Sequence, residues 1–389
     1  MAFCFVPSVA FSQVEPEDHH VEVFLLERDD DDPDPDIAET QDIAADAEHF
    51  PEGEPPPVLE VNGRLHTRWA RTIEERDPAT GSFSLARARL QLTWRPLEPV
   101  EGQLGADFAP VLSGADTTSR LLPQILDAFA AVEATKWLTL RAGHRKVPFS
   151  GARLRSLGDL RPIRRGEYVG FVSTGDAADL ADTSLGYAGR KVGFDASLRF
   201  KRLLRLRLDL GLSQGDHGAT DPTVRASVRV AKGLRVGAAA AALRSPDAPT
   251  EQGFWALAYE LDVEYDRKRW HAELEAATGK NWLEPGPASG RPSFVGGYAL
   301  AAYDISLGEG RHPSIEPHLR AELVDESSQH SCDETLGGTV GATLHAFDVV
   351  RLQLDLERLE RPASAGGETC AGVANPDETT VMLQLALDV

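Results

Sequence analysis

The stretch "LLRLRLDLGLS", residues 203–213, places leucine at positions 204, 206, 208, 210 and 212, with Arg205, Arg207 and Asp209 between them. Period-two alternation makes a strand with one apolar and one polar face. In a soluble sheet the leucines would meet a core. In a membrane barrel they would meet lipid, and the charges would line water. One strand does not choose between these, so the decision lies in the segments around it.

The pattern recurs along the chain. In "VLEVNGRLHTRWA" (58–70) the apolar set is Leu59, Val61, Leu65 and Trp69, against Glu60, Asn62, Arg64, His66 and Arg68. "SFSLARARLQLTW" (82–94) sets Ala86, Ala88, Leu90, Leu92 and Trp94 against Arg87, Arg89, Gln91 and Thr93. The same texture returns in "KVGFDASLRF", "TVRASVRV", "FWALAYELDVEY", "RWHAELEAA", "IEPHLRAELV", "VVRLQLDLERL" and "TTVMLQLALDV". Each run has about ten residues, the length of a tilted strand crossing a hydrocarbon layer.

The connectors decide the fold. Short ones ("RPLEP", "FKR", "AKG", "DRK", "HAFD") alternate with longer polar ones ("RTIEERDPATG", "QGDHGATD", "TGKNWLEPGPASGRPS", "PASAGGETCAGVANPD"). Outer-membrane barrels have short turns at one rim and long loops at the other, whereas a soluble sandwich has no reason to alternate in this way. From Val58 to Val389 the expectation is therefore an all-β transmembrane antiparallel barrel of about sixteen strands. Its third long connector, between Lys146 and Arg190, is the longest, and a loop of that length usually has a task. Trp69, Trp94, Trp137, Tyr265 and Trp270 fall near strand ends, where barrels carry aromatic girdles.

The net charge of −21 is unevenly placed: Gln13–Pro57 holds seventeen acids against the single base Arg28, leaving 44 acids and 39 bases elsewhere. Residues 13–57, with "DDDDPDPD" at their centre, are too acidic and too poor in apolar residues to form a core. They read as a disordered periplasmic leader, and their charge argues against nucleic acid as a partner. The run lacks the spacing and turn glycine of a calcium loop. Residues 1–12 resemble the end of a secretory signal peptide. Export suits the three cysteines: Cys4 leaves with the signal. Cys332 and Cys370, in long connectors at the same rim, are either a disulfide pair or two free thiols.

Enzymatic and metal chemistry find little support. "GLSQG" (211–215), followed by Asp216 and His217, matches G-x-S-x-G, but the residues after it read as a polar loop and a strand, not the helix of a nucleophile elbow. The histidines show no metal-ligand spacing, so neither a metal nor another cofactor is expected. Glu260, Asp262 and Glu264 share one strand face, as do Glu273 and Glu275, and read as one polar wall of a lumen.

Trp137–Leu154, "WLTLRAGHRKVPFSGARL", resembles the phosphate-selective porin O/P family, whose strand reading L-x-x-G-x-x-K-x-P-F enters the long third loop. The matching positions are Leu140, Gly143, Lys146, Pro148 and Phe149. Ile315–Asp325, with Glu316, Pro317, Arg320 and Glu322, is similar to another strand of that family, and "LGLSQGD" and "RASVRV" share its texture. The resemblance covers about 58–389. It departs from the family pattern at His144–Arg145, at the terminal Val389 in place of phenylalanine, and in the acids of the lumen.

It implies a homotrimer of outer-membrane barrels in a Gram-negative bacterium, passing small polar solutes with a bias to anions, phosphate-like ones among them. The other partners expected are membrane lipid and lipopolysaccharide. Folded into the lumen, Arg153, Arg155, Arg161, Arg164 and Arg165 of the long loop would narrow the pore and concentrate anions. Left outside, they would be solvated or bind lipopolysaccharide. The remaining expected lining is Arg87, Arg89, Arg141, Arg145, Lys146, Arg205 and Arg207. The competing function is a non-conducting barrel that serves as a structural anchor or adhesin with a periplasmic tether.

Overall fold

A computed structural model describes residues 58–389 except 75–79, 110–122, 156–159, 175–183, 202–203, 216–218, 245–253, 284–290, 309–312, 329–332 and 362–376. The expected signal remnant, the acidic leader and both Cys332 and Cys370 lie outside the described residues.

The chain forms a closed antiparallel barrel of sixteen strands. They are β1 (Val58–Glu74), β2 (Thr80–Leu97), β3 (Val100–Asp107), β4 (Gln124–Thr135), β5 (Leu138–Lys146), β6 (Ala188–Phe200), β7 (Leu206–Gln214) and β8 (Thr220–Ala231). Along the chain come next β9 (Leu234–Arg244), β10 (Trp255–Arg267), β11 (Trp270–Lys280), β12 (Ser293–Tyr303), β13 (Ser314–Asp325), β14 (Glu334–Phe347), β15 (Val350–Glu360) and β16 (Glu378–Asp388). Each strand pairs with its sequence neighbours, and β16 closes on β1 from Arg64↔Asp388 to Glu74↔Glu378. Closure satisfies the main-chain groups of both edges, which a structure in lipid requires.

Connector lengths alternate as the sequence predicts. Glu98–Pro99, Lys136–Trp137, Lys232–Gly233, Lys268–Arg269 and Asp348–Val349 are tight turns at one rim. Gly233, with φ at +76°, supplies the left-handed conformation that such a turn needs. The strand ends joined by the longer connectors lie at the other rim, where 147–187 leaves β5.

Side chains alternate between lipid and lumen. In β7, Leu210 and Leu212 are exposed on the outside, while Asp209 and Ser213 are buried inside. The opening stretch thus faces lipid as expected from Leu206 onward. Its start differs: Leu204 and Arg205 form a turn, with φ near +50° at both, so Arg205 sits at the short-turn rim and not on a strand wall. Trp94, Trp137, Phe200, Trp270 and Phe347 are exposed at that rim, and Trp270 stacks on Tyr303 with ring centres 4.7 Å apart. Trp94, Trp137 and Trp270 of the expected girdle are thus at this rim, joined by Phe200 and Phe347, while Trp69 and Tyr265 are half-buried on their strands; such a belt suits the interface between lipid and water.

Candidate functional site: the third loop inside the barrel

Residues 147–187 fold inward from β5 and return to β6. Their described part holds two short helices, α1 (Gly151–Leu154) and α2 (Glu167–Val172), joined across 160–166. Phe149, Tyr168, Val169, Phe171, Val172, Leu185 and Tyr187 are buried. They pack on inward-facing Ala241, Leu243, Ala258, Ala277, Phe294, Tyr298 and Leu300 of β9–β12. Phe294 anchors this core, with ring centres 5.6 Å from Phe171 and 5.9 Å from Tyr187. One arc of the lumen wall is therefore apolar because a folded loop covers it.

Beside this core the wall turns acidic, and its carboxylates accept backbone N–H groups of the loop. Gly151 N donates to Glu260 at 3.2 Å, Ala152 N to Glu275 at 2.7 Å, Ile163 N to Asp355 at 2.7 Å and Tyr168 N to Glu322 at 3.3 Å. Burial pushes the Tyr168 hydroxyl well above its ordinary value, with Glu275 adding to the effect, so it stays a donor to that carboxylate. Burial likewise raises the Glu167 carboxyl, against the pull of Arg164.

The five loop arginines lie in the lumen, but they do not form a ring of one sign. Arg155 pairs with Glu264 at 3.8 Å and also with Glu273. Burial works against its charge, and the acids facing it outweigh burial and hold the guanidinium above its ordinary value. Arg161 lies 3.7 Å from Asp266 and 3.5 Å from Glu316. Arg164 pairs with Glu357, which also receives Arg320 at 2.9 Å. Arg165 donates to Arg155 O at 2.6 Å, and Lys146 Nζ to Leu154 O at 2.6 Å and Arg155 O at 2.8 Å, so both tie off the carbonyl end of α1. Arg153 is buried beside them.

The opposite arc carries its own pairs. Arg87 and Arg89 lie 3.8 and 3.0 Å from Asp107, Arg141 and Arg145 lie 3.4 and 2.5 Å from Asp195, and Arg207 lies 3.0 Å from Asp209. Positive and negative groups thus alternate at short range on both arcs, which weakens any field across the pore.

This pairing has a measurable consequence. Glu357→Gln removes one negative charge and leaves Arg164 and Arg320 in place. The reversal potential in a salt gradient is expected to move toward anions, while Glu322, 3.5 Å from Arg320, continues to balance that guanidinium. A shift toward cations would contradict the pairing.

Where the loop crosses the lumen, residues 161–164 are hydrogen-bonded to the β13–β15 wall. Gln353 donates to Arg161 O at 3.0 Å and Arg320 to Arg164 O at 2.5 Å. Gln384 in turn donates to Gln353 at 2.8 Å. Between this crossing and the wall of β1, β2, β15 and β16 lies a narrow gap lined by His66, Arg68, Ala86, Arg87, Pro162, Ile163, Gln353 and Gln384.

A barrel of sixteen strands with a third loop folded into its lumen is the architecture of a diffusion channel. The sequence model of one family, phosphate-selective porin O and P, matches residues 60–254. The chain belongs to this family. No curated protein sequence matches the porin. Among solved structures it is similar to the outer-membrane channel DcaP of Acinetobacter baumannii, with a TM-score of 0.59 and 11% identity over 86% of this chain and 98% of that one. OmpF of Salmonella typhi aligns with a TM-score of 0.56 and 13% identity, over 85% and 97% of the two chains. The trimer form of OmpT from Vibrio cholerae gives 0.53 and 7%, over 86% and 100%. At such identities the likeness is one of fold.

The porin is an outer-membrane channel for small solutes in a Gram-negative bacterium, and family and fold point to a channel rather than an enzyme. The details agree with that. Ser213 Oγ donates to the backbone oxygen of Asp221 at 3.3 Å, on a strand and not at an elbow. Glu264, Asp266 and His271 offer ligand atoms within 4.8 Å of one another. Yet His271 is hydrogen-bonded to Asp266 at 3.1 Å and to Glu273 at 2.6 Å, and Arg235 holds Glu264 at 2.5 Å, so the cluster is already neutralised.

Proposed function

We propose that the porin passes small polar solutes with a preference for anions, through the gap between the crossing segment and β1–β2. The observation that carries this reading is the lining: Arg68, Arg87, His66 and two glutamine amides, with no carboxylate among the described lining residues. Guanidinium and amide donors replace part of an anion's hydration shell and lower the cost of passing a narrow, low-dielectric point. Behind the lining, Asp107 lies 3.8 Å from Arg87 and Asp388 lies 3.2 Å from His66, which leaves Arg68 the main positive group; the arginines of the loop contribute less than their number suggests, since acids of the wall face them. Comparing phosphate with chloride in the same experiment tests whether phosphate-like anions are favoured.

In planar bilayers under a salt gradient, the wild type should be anion-selective, and increasingly less so as salt is added. Arg68→Ser with Arg87→Ser should lower that preference. Cation selectivity in the wild type, or no change in the double variant, would overturn the reading, and absence of current would favour a structural anchor. A homotrimer, outer loops against lipopolysaccharide and an acidic periplasmic leader over 13–57 complete the proposal. It is supported by the trimer form of the OmpT neighbour and by the leader's composition.

A further inference from the structure

One carboxylate serves two separate pieces of the third loop. Glu275, in the middle of β11 and 1% exposed, accepts from Ser150 Oγ at 2.6 Å and Tyr168 Oη at 3.1 Å on Oε1, and from Ala152 N at 2.7 Å on Oε2. Ser150 caps α1, whose first turn holds Ala152, and Tyr168 belongs to α2. Glu260, Asp355 and Glu322 hold the loop's backbone at single amides. Glu275 alone among these four takes donors from both helices. An ionised carboxylate only accepts and has room for these three donors. A leucine there would leave all three donors without an acceptor, whereas a glutamine could still serve them, because the two hydroxyls accept as well as donate.

The backbones also approach too closely for side chains. A Cβ at Gly296 of β12 would lie 2.7 Å from the Tyr168 ring, and one at Gly151 would lie 3.0 Å from the Asp262 carboxyl. The crossing segment 161–164 lies in the chain between the two helices and is bonded to β13–β15, so its distance from β1 and β2 depends on those bonds and on where both helices are seated.

We infer that Glu275 is the positioning residue that sets the bore of the channel, by tying α1 and α2 to one point of the wall. The bore part of this inference rests on the reading of the gap as the solute path; the loop-holding part does not, and separate readouts distinguish the two.

The full-length porin carries Glu275→Leu in one variant and Gly296→Ala in another, the second pushing Tyr168 away with Glu275 intact. Hydrogen exchange of peptides spanning 147–172 reports the seating of the loop. Exclusion of graded polyethylene glycols from the conducting pore, with open-channel current noise, reports the bore.

Both variants should keep the heat-modifiable migration of a folded barrel. In both, exchange at the loop should rise about tenfold or more, noise should increase, and the polymer cut-off should move to larger sizes. Tyr168→Phe, which removes a single hydroxyl, should move each readout the same way by less, and it serves if either main variant fails to fold. Unchanged exchange in Glu275→Leu would overturn the inference, as would a loosened loop with an unchanged cut-off. A wild type that carries no current would sink the solute-path reading, while exchange would still decide whether Glu275 holds the loop.

Discussion

Phe294→Ala is expected to release the third loop from the wall while the barrel stays closed. The side chain is fully buried between Phe171 and Tyr187 of the loop and β12. Truncating such a ring costs about 3–5 kcal/mol. Here the cost falls on the contact between loop and wall, because the β11–β12 and β12–β13 ladders on either side of Phe294 are main-chain pairings that the substitution leaves intact. The seated-to-unseated ratio should therefore fall by roughly two to four orders of magnitude. Trypsin offers a direct measurement, since Arg153, Arg155 and Arg164 become cleavable once the loop leaves the wall. Cleavage within the loop of a protein that still migrates as a folded barrel is the expected result, together with higher conductance. Phe194→Ala is the comparison, because Phe194 is 69% exposed to lipid and its loss should leave the loop resistant. Equal resistance in both variants would mean that the aromatic core does not hold the loop.

The second large effect belongs to the outer face. Leu261 is the midpoint of β10, 65% exposed, and flanked on the neighbouring strands by Ala238 and Ala276. Small neighbours give an arginine placed there no cover from lipid, and at the midplane such a charge costs about 2–4 kcal/mol. Leu97→Arg, at the short-turn end of β2, should cost about 0–1 kcal/mol, since its head group reaches the interface. Urea titration of each variant refolded into lipid vesicles measures the difference. Similar midpoints for the two would show that the outward face of β10 does not meet the hydrocarbon layer.

Both predictions bear on how far the sequence could be read. Alternation and connector length were enough for the barrel, because lipid on one side and water on the other impose a period of two that no tertiary detail overrides. The bounds of the third loop came from the loss of that period after Lys146. The positions of its arginines inside the lumen came from the family resemblance. Their partners did not, because an ion pair between a loop and a strand more than a hundred residues away leaves no local trace.

The apolar arc did leave a trace. "GAAAAAL" in β9, "FWALAYEL" before and within β10 and "SFVGGYALAAY" in β12 are apolar on both faces. A strand of that kind has two things to bury, and Leu243, Ala258, Phe294 and Leu300 meet the loop on the inside. Read for the failure of alternation as well as for alternation, those strands point to the loop's seat. Leu204 and Arg205 show the opposite error: the period continued in the letters past the point where the backbone had already turned.

The inner wall of this barrel is thus two materials in one sheet, and they should drift differently as the sequence changes over generations. Where β9–β12 back the aromatic core of the loop, at Ala241, Leu243, Ala258, Ala277 and Phe294, an inward position is a piece of protein interior, where volume is conserved and a charge is rejected. On β5–β7 an inward position faces paired ions, where a change in one partner can be answered by a change in the other. Lineages derived from this chain would then keep the shape of one arc while rewriting the charges of the other, so that selectivity can evolve without the gate being rebuilt.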